Sequence, residues 1–393
     1  MTRSLEQWRR VKLGDFAEVT VGHVGSMASE YVGDGVIFLR SQNVVPHGFD
    51  LSDVRYIPEE FHSRLKKSAL RPGDVVTVRT GSPGATAVVP NEWGSANCSD
   101  LVITRPCGDV DPYWLSYYIN SAAAGFVNSM LVGAVQQHFN VGAARSMVLE
   151  LPPIHEQRAI ADVLGALDDK IAANRKLIGA IDEVAVLQVQ AANGMRTAIA
   201  DVVEHNRRTH SPESMDSDVV AHYSLPAFDE GGIPALDDPV TIKSAKFLIE
   251  RPSVLISKLN PRFPRVWDVP TVGPEPAYAS TEFLVLEPRY CSTSVLWALL
   301  REPVVSVQLE SKVAGTSGSH QRVKPADLLA TEIVDPRSLP DGVLSAITAL
   351  GRLRLNAIEE SRTLAATRDT LLPRLMSGEL RVRDAERQIE EVL

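Results

Sequence analysis

The 393 residues carry 40 Lys and Arg against 49 Asp and Glu, a net charge of -9, with 44% hydrophobic and 23% charged residues. That length and balance exclude disordered and fibrous classes, allow two domains with a connector, and argue against a protein that coats nucleic acid by bulk charge. No apolar run approaches the roughly 18 residues of a membrane span, and the charged start lacks a signal-type core, so a cytoplasmic location is expected.

Along the first 150 residues, short β-rich runs bounded by Gly and Pro predict strands at Val75 to Arg79, Ala87 to Val89 and Leu101 to Thr104, followed by a helix over Tyr113 to Asn120. After Pro152 and Pro153, the residues Ile160, Leu164, Leu167, Ile171, Ile178, Ile181 and Ala185 trace a heptad seam interrupted by Asn174. Nothing before Gly194 forbids one helix of about 40 residues. Asp168 and Asp169, with Arg175 and Lys176 at i+7, read as a solvated face of that helix.

A second mixed region follows, with strands expected at Val254 to Ser257 and Glu282 to Leu286 and a helix at Ser294 to Glu302. Beyond Pro340 a weaker seam runs through Val343, Ile347, Leu350, Ala357, Leu364, Leu371 and Leu375. Arg354, Ser361 and Arg368 interrupt it, and Pro373 is expected to kink its end.

The two halves repeat. Gly133, His138 and Val141 recur as Gly315, His320 and Val323, 182 residues on, and Glu150 meets Glu332 at the same offset. Arg71-Pro72 and the apolar run after it resemble Arg251-Pro252 and its run. The expected architecture is therefore α+β, two duplicated mixed modules separated by two long antiparallel coiled-coil helices, divided as 1–150, 151–198, 199–338 and 339–393. Two basic islands stand out in the acidic chain: Lys243, Lys246, Arg251, Lys258, Arg262 and Arg265 against Glu250 alone, and Arg55, Arg64, Lys66, Lys67, Arg71 and Arg79 against Glu59, Glu60 and Asp74. Two related globules on stiff helices suit a polymer with periodic sites, and unlike globules suit unlike half-sites on DNA.

Three stretches carry a family resemblance. They are Leu70 to Gly84 with its Gly-Asp and Thr-Gly-Ser-Pro-Gly elements, the Leu-Pro-Pro-x-x-Glu-Gln run from Leu151 to Gln157, and the tail from Leu371 to Leu380 containing Pro373, Met376 and Gly378. They resemble the specificity subunit of type I restriction-modification systems. The second module departs from the pattern, with Ser253 and Asn260-Pro261-Arg262-Phe263 in place of the glycine elements, and Val334 to Pro340 in place of a second Leu-Pro-Pro run. The resemblance implies two target recognition domains on a split double-stranded DNA site, two adenine methyltransferase subunits docked on the helices, and motor-nuclease subunits joining them. It also implies that S-adenosylmethionine, ATP and magnesium belong to those partners and that this chain has no cofactor. Pro152, Pro153, Glu156, Gln157, Leu372, Pro373, Met376 and Gly378 are the positions it implies for partner docking; the plain alternative for Glu156 is an acid in a first helical turn.

Base readout needs Arg for guanine and Asn or Gln for adenine, carried on loops. In the first module those are Arg40, Ser41, Gln42, Asn43, Arg79, Thr80, Gly81, Ser82, Gln136, Gln137 and His138; in the second, Lys258, Asn260, Arg262, Arg265, Thr316, Ser317, Ser319, His320, Gln321 and Arg322. The competing account leaves them as solvated loop residues. An adenine methyltransferase would need an Asp/Asn-Pro-Pro-aromatic turn, and Asp111-Pro112-Tyr113-Trp114 and Asn260-Pro261-Arg262-Phe263 are near misses without a donor-binding glycine loop. No Walker loop is present, and Asp237-Asp238 suits a loop better than a nuclease centre. The cysteines, Cys98, Cys107 and Cys291, lack metal or disulfide spacing, so no metal is expected. The expectation is a non-catalytic chain; the alternatives are a methyltransferase with its own active site and a scaffold without DNA readout.

Overall fold

The computed structural model describes residues 8–130, 139–262, 264–312 and 321–390. Contacts divide the chain into two units, Met1–Ala173 with Glu360–Leu393, and Asn174–Glu359. Both divisions fall inside long helices, whereas the boundaries drawn from the sequence fall near helix ends.

In chain order the first unit contains β1 (Arg9–Lys12), β2 (Ala17–Val21), β3 (Val36–Leu39), the hairpin β4 (Val44–Val45) and β5 (Gly48–Phe49), and β6 (Arg55–Ile57). Then come α1 (Glu59–Arg64), β7 (Ala69–Leu70), β8 (Val75–Val78), β9 (Thr86–Val88), β10 (Ala96–Cys98) and β11 (Leu101–Pro106). Helices α2 (Pro112–Asn120), α3 (Ala124–Ser129) and α4 (Val141–Ser146) lead to β12 (Val148–Leu151) and into α5 (Ile154–Ala192). The turn before β8 shows how the sequence sets an element. Gly73 takes φ 82°, and the Asp74 carboxylate accepts from Arg71 N at 3.0 Å. The chain then enters a four-residue strand buried on both faces.

Two four-stranded sheets, β2-β11-β8-β9 and β6-β3-β10-β7, and the ribbon β1-β12 make up most of this unit's sheet structure. One face of the first sheet, with Val75 and Val102, joins Trp114, Leu115 and Ile119 of α2 and the seam residues Ile160, Leu164, Leu167 and Ile171. Its other face, with Val76, Val78, Leu101 and Ile103, packs toward Leu39 and Ala96 of the second sheet. Each such aliphatic or aromatic side chain contributes about 1.5–3 kcal/mol by leaving water.

The second unit runs through β13 (Arg196–Ala198), α6 (Ile199–Val202), β14 (Val203–Asn206), β15 (Thr209–His210), β16 (Val220–Tyr223), α7 (Leu225–Asp229) and β17 (Ala235–Asp237). Next are β18 (Lys246–Ile249), β19 (Ser253–Ser257), β20 (Val266–Val269), β21 (Ala277–Ala279) and β22 (Phe283–Pro288). Helices α8 (Thr293–Leu300), α9 (Pro303–Ser311) and α10 (Pro325–Leu329), strand β23 (Glu332–Val334) and helix α11 (Asp341–Met376) follow; α12 (Val382–Glu390) returns to the first unit.

The repeat predicted from sequence is present in the strand order. β14-β22-β19-β20 reproduces β2-β11-β8-β9, and β18-β21-β16-β17 reproduces β7-β10-β3-β6, including the parallel pairing of β16 with β21 where β3 pairs with β10. The register, however, corrects the offset. Leu13 N donates to Met147 O, and Ile199 N to Thr331 O, which makes Val334 rather than Glu332 the counterpart of Glu150. Likewise Phe139, not Val141, corresponds to Val323. Small length differences between the copies shift the frame by two residues.

Helix α5 spans 39 residues and buries Ile160, Leu164, Leu167, Ile171, Asn174, Ile181 and Ala185 of the predicted seam, with Ile178 half-buried. Helix α11 continues through Pro373 to Met376, and Gly378 at φ 72° follows it. Within the first unit α5 and α11 pair antiparallel, with Lys170 Nζ 3.3 Å from Glu360 and Arg368 bonded to Asp168. The interruptions of the second seam are thus partners of the first: Arg368 donates to Asp168 at 2.6 Å, and Arg354 to Asp182 at 2.8 Å in the second unit. Asp168 also accepts from the Tyr117 hydroxyl at 2.6 Å, so it is not part of a solvated face; Asp169 is exposed as expected.

Candidate nucleic-acid interface

Central strand β8 ends at Val78, and the polar residues after it converge on one carboxylate. Arg79 Nη1 lies 3.1 Å from Asp100 Oδ1, Thr80 bonds the other oxygen through its hydroxyl, and Ser41 Oγ donates to the Asp100 carbonyl at 3.5 Å. Asp100 occupies the short turn between β10 and β11 at φ 53°. Arg79 Nε donates to Phe139 O, and Phe139 N donates back to Arg79 O at 3.2 Å. Gly81 (φ 89°) follows in a backbone region that side chains disfavour, with Ser82 exposed beside it.

A second carboxylate organises the preceding loop. Asp53 Oδ2 accepts from Arg40 Nη2 and Gln42 Nε2, each at 3.0 Å, and Arg55 Nη2 lies 3.1 Å from Oδ1. The hydrogen bond from Arg40 holds the Asp53 carboxyl below the usual carboxylate range. Asn43 behaves differently from its neighbours. It is 1% exposed, its Oδ1 accepts from Arg40 N and its Nδ2 donates to Asp50 O, so its amide shapes the turn and is withdrawn from solution.

In the second unit the corresponding position after central strand β19 is Lys258. Val323 N donates to Lys258 O at 3.0 Å, the same bond that Phe139 makes to Arg79. Lys258 N donates to Glu282 O, Asn260 N to Gln321 O, and Arg322 Nη2 reaches Glu282 Oε1 at 2.7 Å. The structure therefore brings Lys258, Asn260, Gln321 and Arg322 together, with Asn260 at φ 50°. Arg265 grips Asp229 with two nitrogens, at 2.6 and 2.8 Å, which lowers the Asp229 pKa, and Arg262 is exposed. Lys246, counted in the basic island, is 7% exposed, its ammonium bonded to Ser244 and its pKa lowered by burial. Gln136, Gln137, His138, Thr316, Ser317, Ser319 and His320 lie outside the described residues.

Of the positions expected to dock a partner, Gln157 is fully buried. Its Nε2 donates to Asp109 O and Pro152 O, and its Oε1 accepts from Asp111 N at 2.8 Å, so it locks the start of α5 to the loop before α2. Glu156 accepts from Trp8 Nε1 at 3.3 Å; Pro152 is buried and Pro153 half-buried. Leu372, Pro373 and Met376 line an open cavity of about 610 Å³ with Tyr118, Glu150 and Asp369, and Gly378 is exposed just beyond.

Asp111 caps α2, accepting from Tyr113 N and Trp114 N, so Asp111-Pro112-Tyr113-Trp114 is a helix start. Asp237 contacts the His222 ring at 2.8 Å, and Asp238 caps a short turn by accepting from Val240 N. Among the described residues no group of three or more His, Cys, Asp or Glu could hold a metal ion. Burial pushes the Cys291 thiol up to about 12 and raises that of Cys98. No helix among the described residues is long and apolar enough to cross a membrane. The carboxylates Asp53, Asp100, Asp229 and Glu282 were invisible in the sequence, where a lone acid in a loop looks like solvated charge. The one signal was position: Asp53, Asp100 and Glu282 lie in connections between strands, and Asp229 ends helix α7.

Comparison with known proteins gives one family match and several similar solved structures. Residues 5–183 match the type I restriction modification DNA specificity domain. The S subunit of a type I restriction-modification system from M. genitalium is similar in fold, with a TM-score of 0.58 at 12% identity, covering 94% of this chain and 96% of that one. The HsdS subunit from Thermoanaerobacter tengcongensis aligns over 95% of this chain and 97% of its own at 16% identity, with a TM-score of 0.36.

Proposed function

We propose, from the match of residues 5–183 to the type I restriction modification DNA specificity domain, that this chain is the DNA-recognition subunit of such a system and catalyses nothing itself. It reads a bipartite, asymmetric duplex site, one half per unit, and serves adenine methyltransferase and motor-nuclease subunits that bring the methyl donor, ATP and magnesium. The observation that carries the reading is the repeated strand order with unlike polar residues at the same topological places: Arg79 and Asp100 in one unit, Lys258 and Glu282 in the other. A duplicated frame with different side chains at its reading positions suits two half-sites of different sequence, because base identity is read by side-chain donors and acceptors while the frame sets only their place. Arg40, Ser41, Gln42, Arg79, Thr80, Ser82, Lys258, Asn260, Arg262, Arg265, Gln321 and Arg322 are the described residues proposed to meet DNA. Leu372, Pro373 and Met376, around their apolar cavity, are proposed to receive a partner subunit.

A net charge of -9 disfavours tight binding by the isolated chain, so the test uses the assembled methyltransferase. A bandshift over a library of duplexes with two short randomised blocks and a fixed gap is expected to enrich one pair of unlike half-sites. Equal retention of every duplex would remove the reading. Methyl incorporation by this chain alone, with labelled S-adenosylmethionine and DNA, would instead favour an enzyme.

A further inference from the structure

Two of the acids described above occupy the same place in the two copies. Asp100 lies between β10 and β11, and Glu282 between β21 and β22, the matching connection of the repeated sheets. Each holds an arginine: Asp100 takes Arg79 at 3.1 Å, and Glu282 takes Arg322 at 2.7 Å.

Stability does not explain them. Part-exposed ion pairs add little to stability. Asp100 is also held at φ 53°, a conformation that most side chains disfavour and that glycine adopts freely. Glu282 keeps its Oε2 buried without a hydrogen-bond partner among the described residues, which a protein selected only for stability would avoid. What a neighbouring arginine and carboxylate can do together is match one base pair. In the major groove guanine offers two acceptors that fit a guanidinium, and its cytosine offers an amino donor that fits a carboxylate.

Resting on the DNA-recognition reading above, we propose that Asp100 and Glu282 are specificity-determining residues that pair with Arg79 and Arg322 to recognise a G·C pair in each half-site. In free protein the carboxylate cancels the guanidinium charge and so weakens its attraction to random phosphates. On the right sequence both groups turn to the two bases. An A·T pair leaves the guanidinium without its two acceptors.

The test uses the complex assembled with its methyltransferase, measuring affinity for its selected duplex and for random duplex over a fourfold range of salt. Asp100→Asn and Glu282→Gln are each expected to steepen the salt dependence on random DNA, so that affinity falls about threefold more across that range than in the parent. Each is expected to lower the ratio of selected to random binding by roughly tenfold or more, with the loss confined to G·C positions of one half-site. Asp100→Glu, which keeps the charge, retains the parental salt dependence. Variants that weaken selected and random binding equally, or that change neither slope nor ratio, overturn the proposal. If Asp100→Asn does not fold, Glu282→Gln decides independently. A parent complex with no sequence preference fails the recognition reading itself, whereas a parental preference fully kept by the variants sinks only this inference.

Discussion

Arg368 of α11 donates to the Asp168 carboxylate of α5 at 2.6 Å, and Tyr117 of α2 donates to the other oxygen of that carboxylate. A charge that would interrupt an apolar seam is thereby neutralised inside the first unit. The second unit solves the same problem with different chemistry. Asp182 accepts from Arg354 and Arg301, and both guanidiniums lie over the Trp297 ring, at 4.8 and 4.6 Å.

Removing one member of the first pair leaves the other half-buried with a weaker set of partners: Arg368 keeps only Asp369, and Asp168 keeps only the Tyr117 hydroxyl, among the contacts described. Asp168→Ala or Arg368→Ala is expected to lower unfolding free energy by about 2–3 kcal/mol. A double-mutant cycle followed by urea denaturation is expected to return a coupling of about 1–2 kcal/mol, and additive single effects would show the pair to be idle.

His47 sits at φ 65° in the turn of the β4–β5 hairpin, stacked on Tyr117 at 4.5 Å, with Asn120 Nδ2 donating to its Nδ1. Burial lowers its pKa to about 4 from 6.5. The unfolded chain therefore binds the proton first, so the stability this residue confers is complete above pH 6.5 and is lost as the pH falls toward 4, a change of about 3 kcal/mol. His47→Asn tolerates the left-handed backbone and removes the titration. The difference between parental and variant unfolding curves is expected to fall across that window and to be flat above it.

Three helix glycines separate packing from propensity. A Cβ at Gly351 would clash with Ser294 Oγ and Cβ, whereas Gly165 and Gly179 face open space. Gly351→Ala is expected to destabilise the second unit by about 1–3 kcal/mol through overpacking. Gly165→Ala and Gly179→Ala are expected to stabilise by roughly 0.5–1 kcal/mol each. Thermal unfolding of the three variants reads the opposite signs.

Gln157 makes three hydrogen bonds at zero exposure, two to carbonyls and one from Asp111 N. Gln157→Ala is expected to cost about 2–3 kcal/mol by stranding those groups. Protease susceptibility of the loop around Asp109 should rise with it. Partner binding lost while stability stays parental would assign the residue to docking instead.

Local signals carried far in this sequence. The Pro152-Pro153 start, the seam of α5 and the turn before β8 are set by neighbours, so period and punctuation revealed them. The duplication was legible because two copies of one topology keep their turns, though the two-residue frame shift was not, since register depends on pairing across the sheet. Asp168 reads as surface charge and Arg354 and Arg368 read as seam interruptions because the members of the pairs Asp168 with Arg368 and Asp182 with Arg354 lie 200 and 172 residues apart in sequence. In the candidate interface, loop position marked Arg40, Arg79 and Arg322 as candidates only. It could not show that Asn43 folds inward or that acids hold the arginines, because both depend on how separate loops meet.

The first unit is assembled from two separated stretches of chain, whereas Asn174–Glu359 is continuous. During synthesis the continuous unit can finish folding while Ile160, Leu164 and Leu167 still wait for Leu364, Leu371 and Leu375 to leave the ribosome. A premature stop near Glu360 would thus spare the part made in the middle and leave the part made first with its greasy side bare, a ready target for chaperones and proteases.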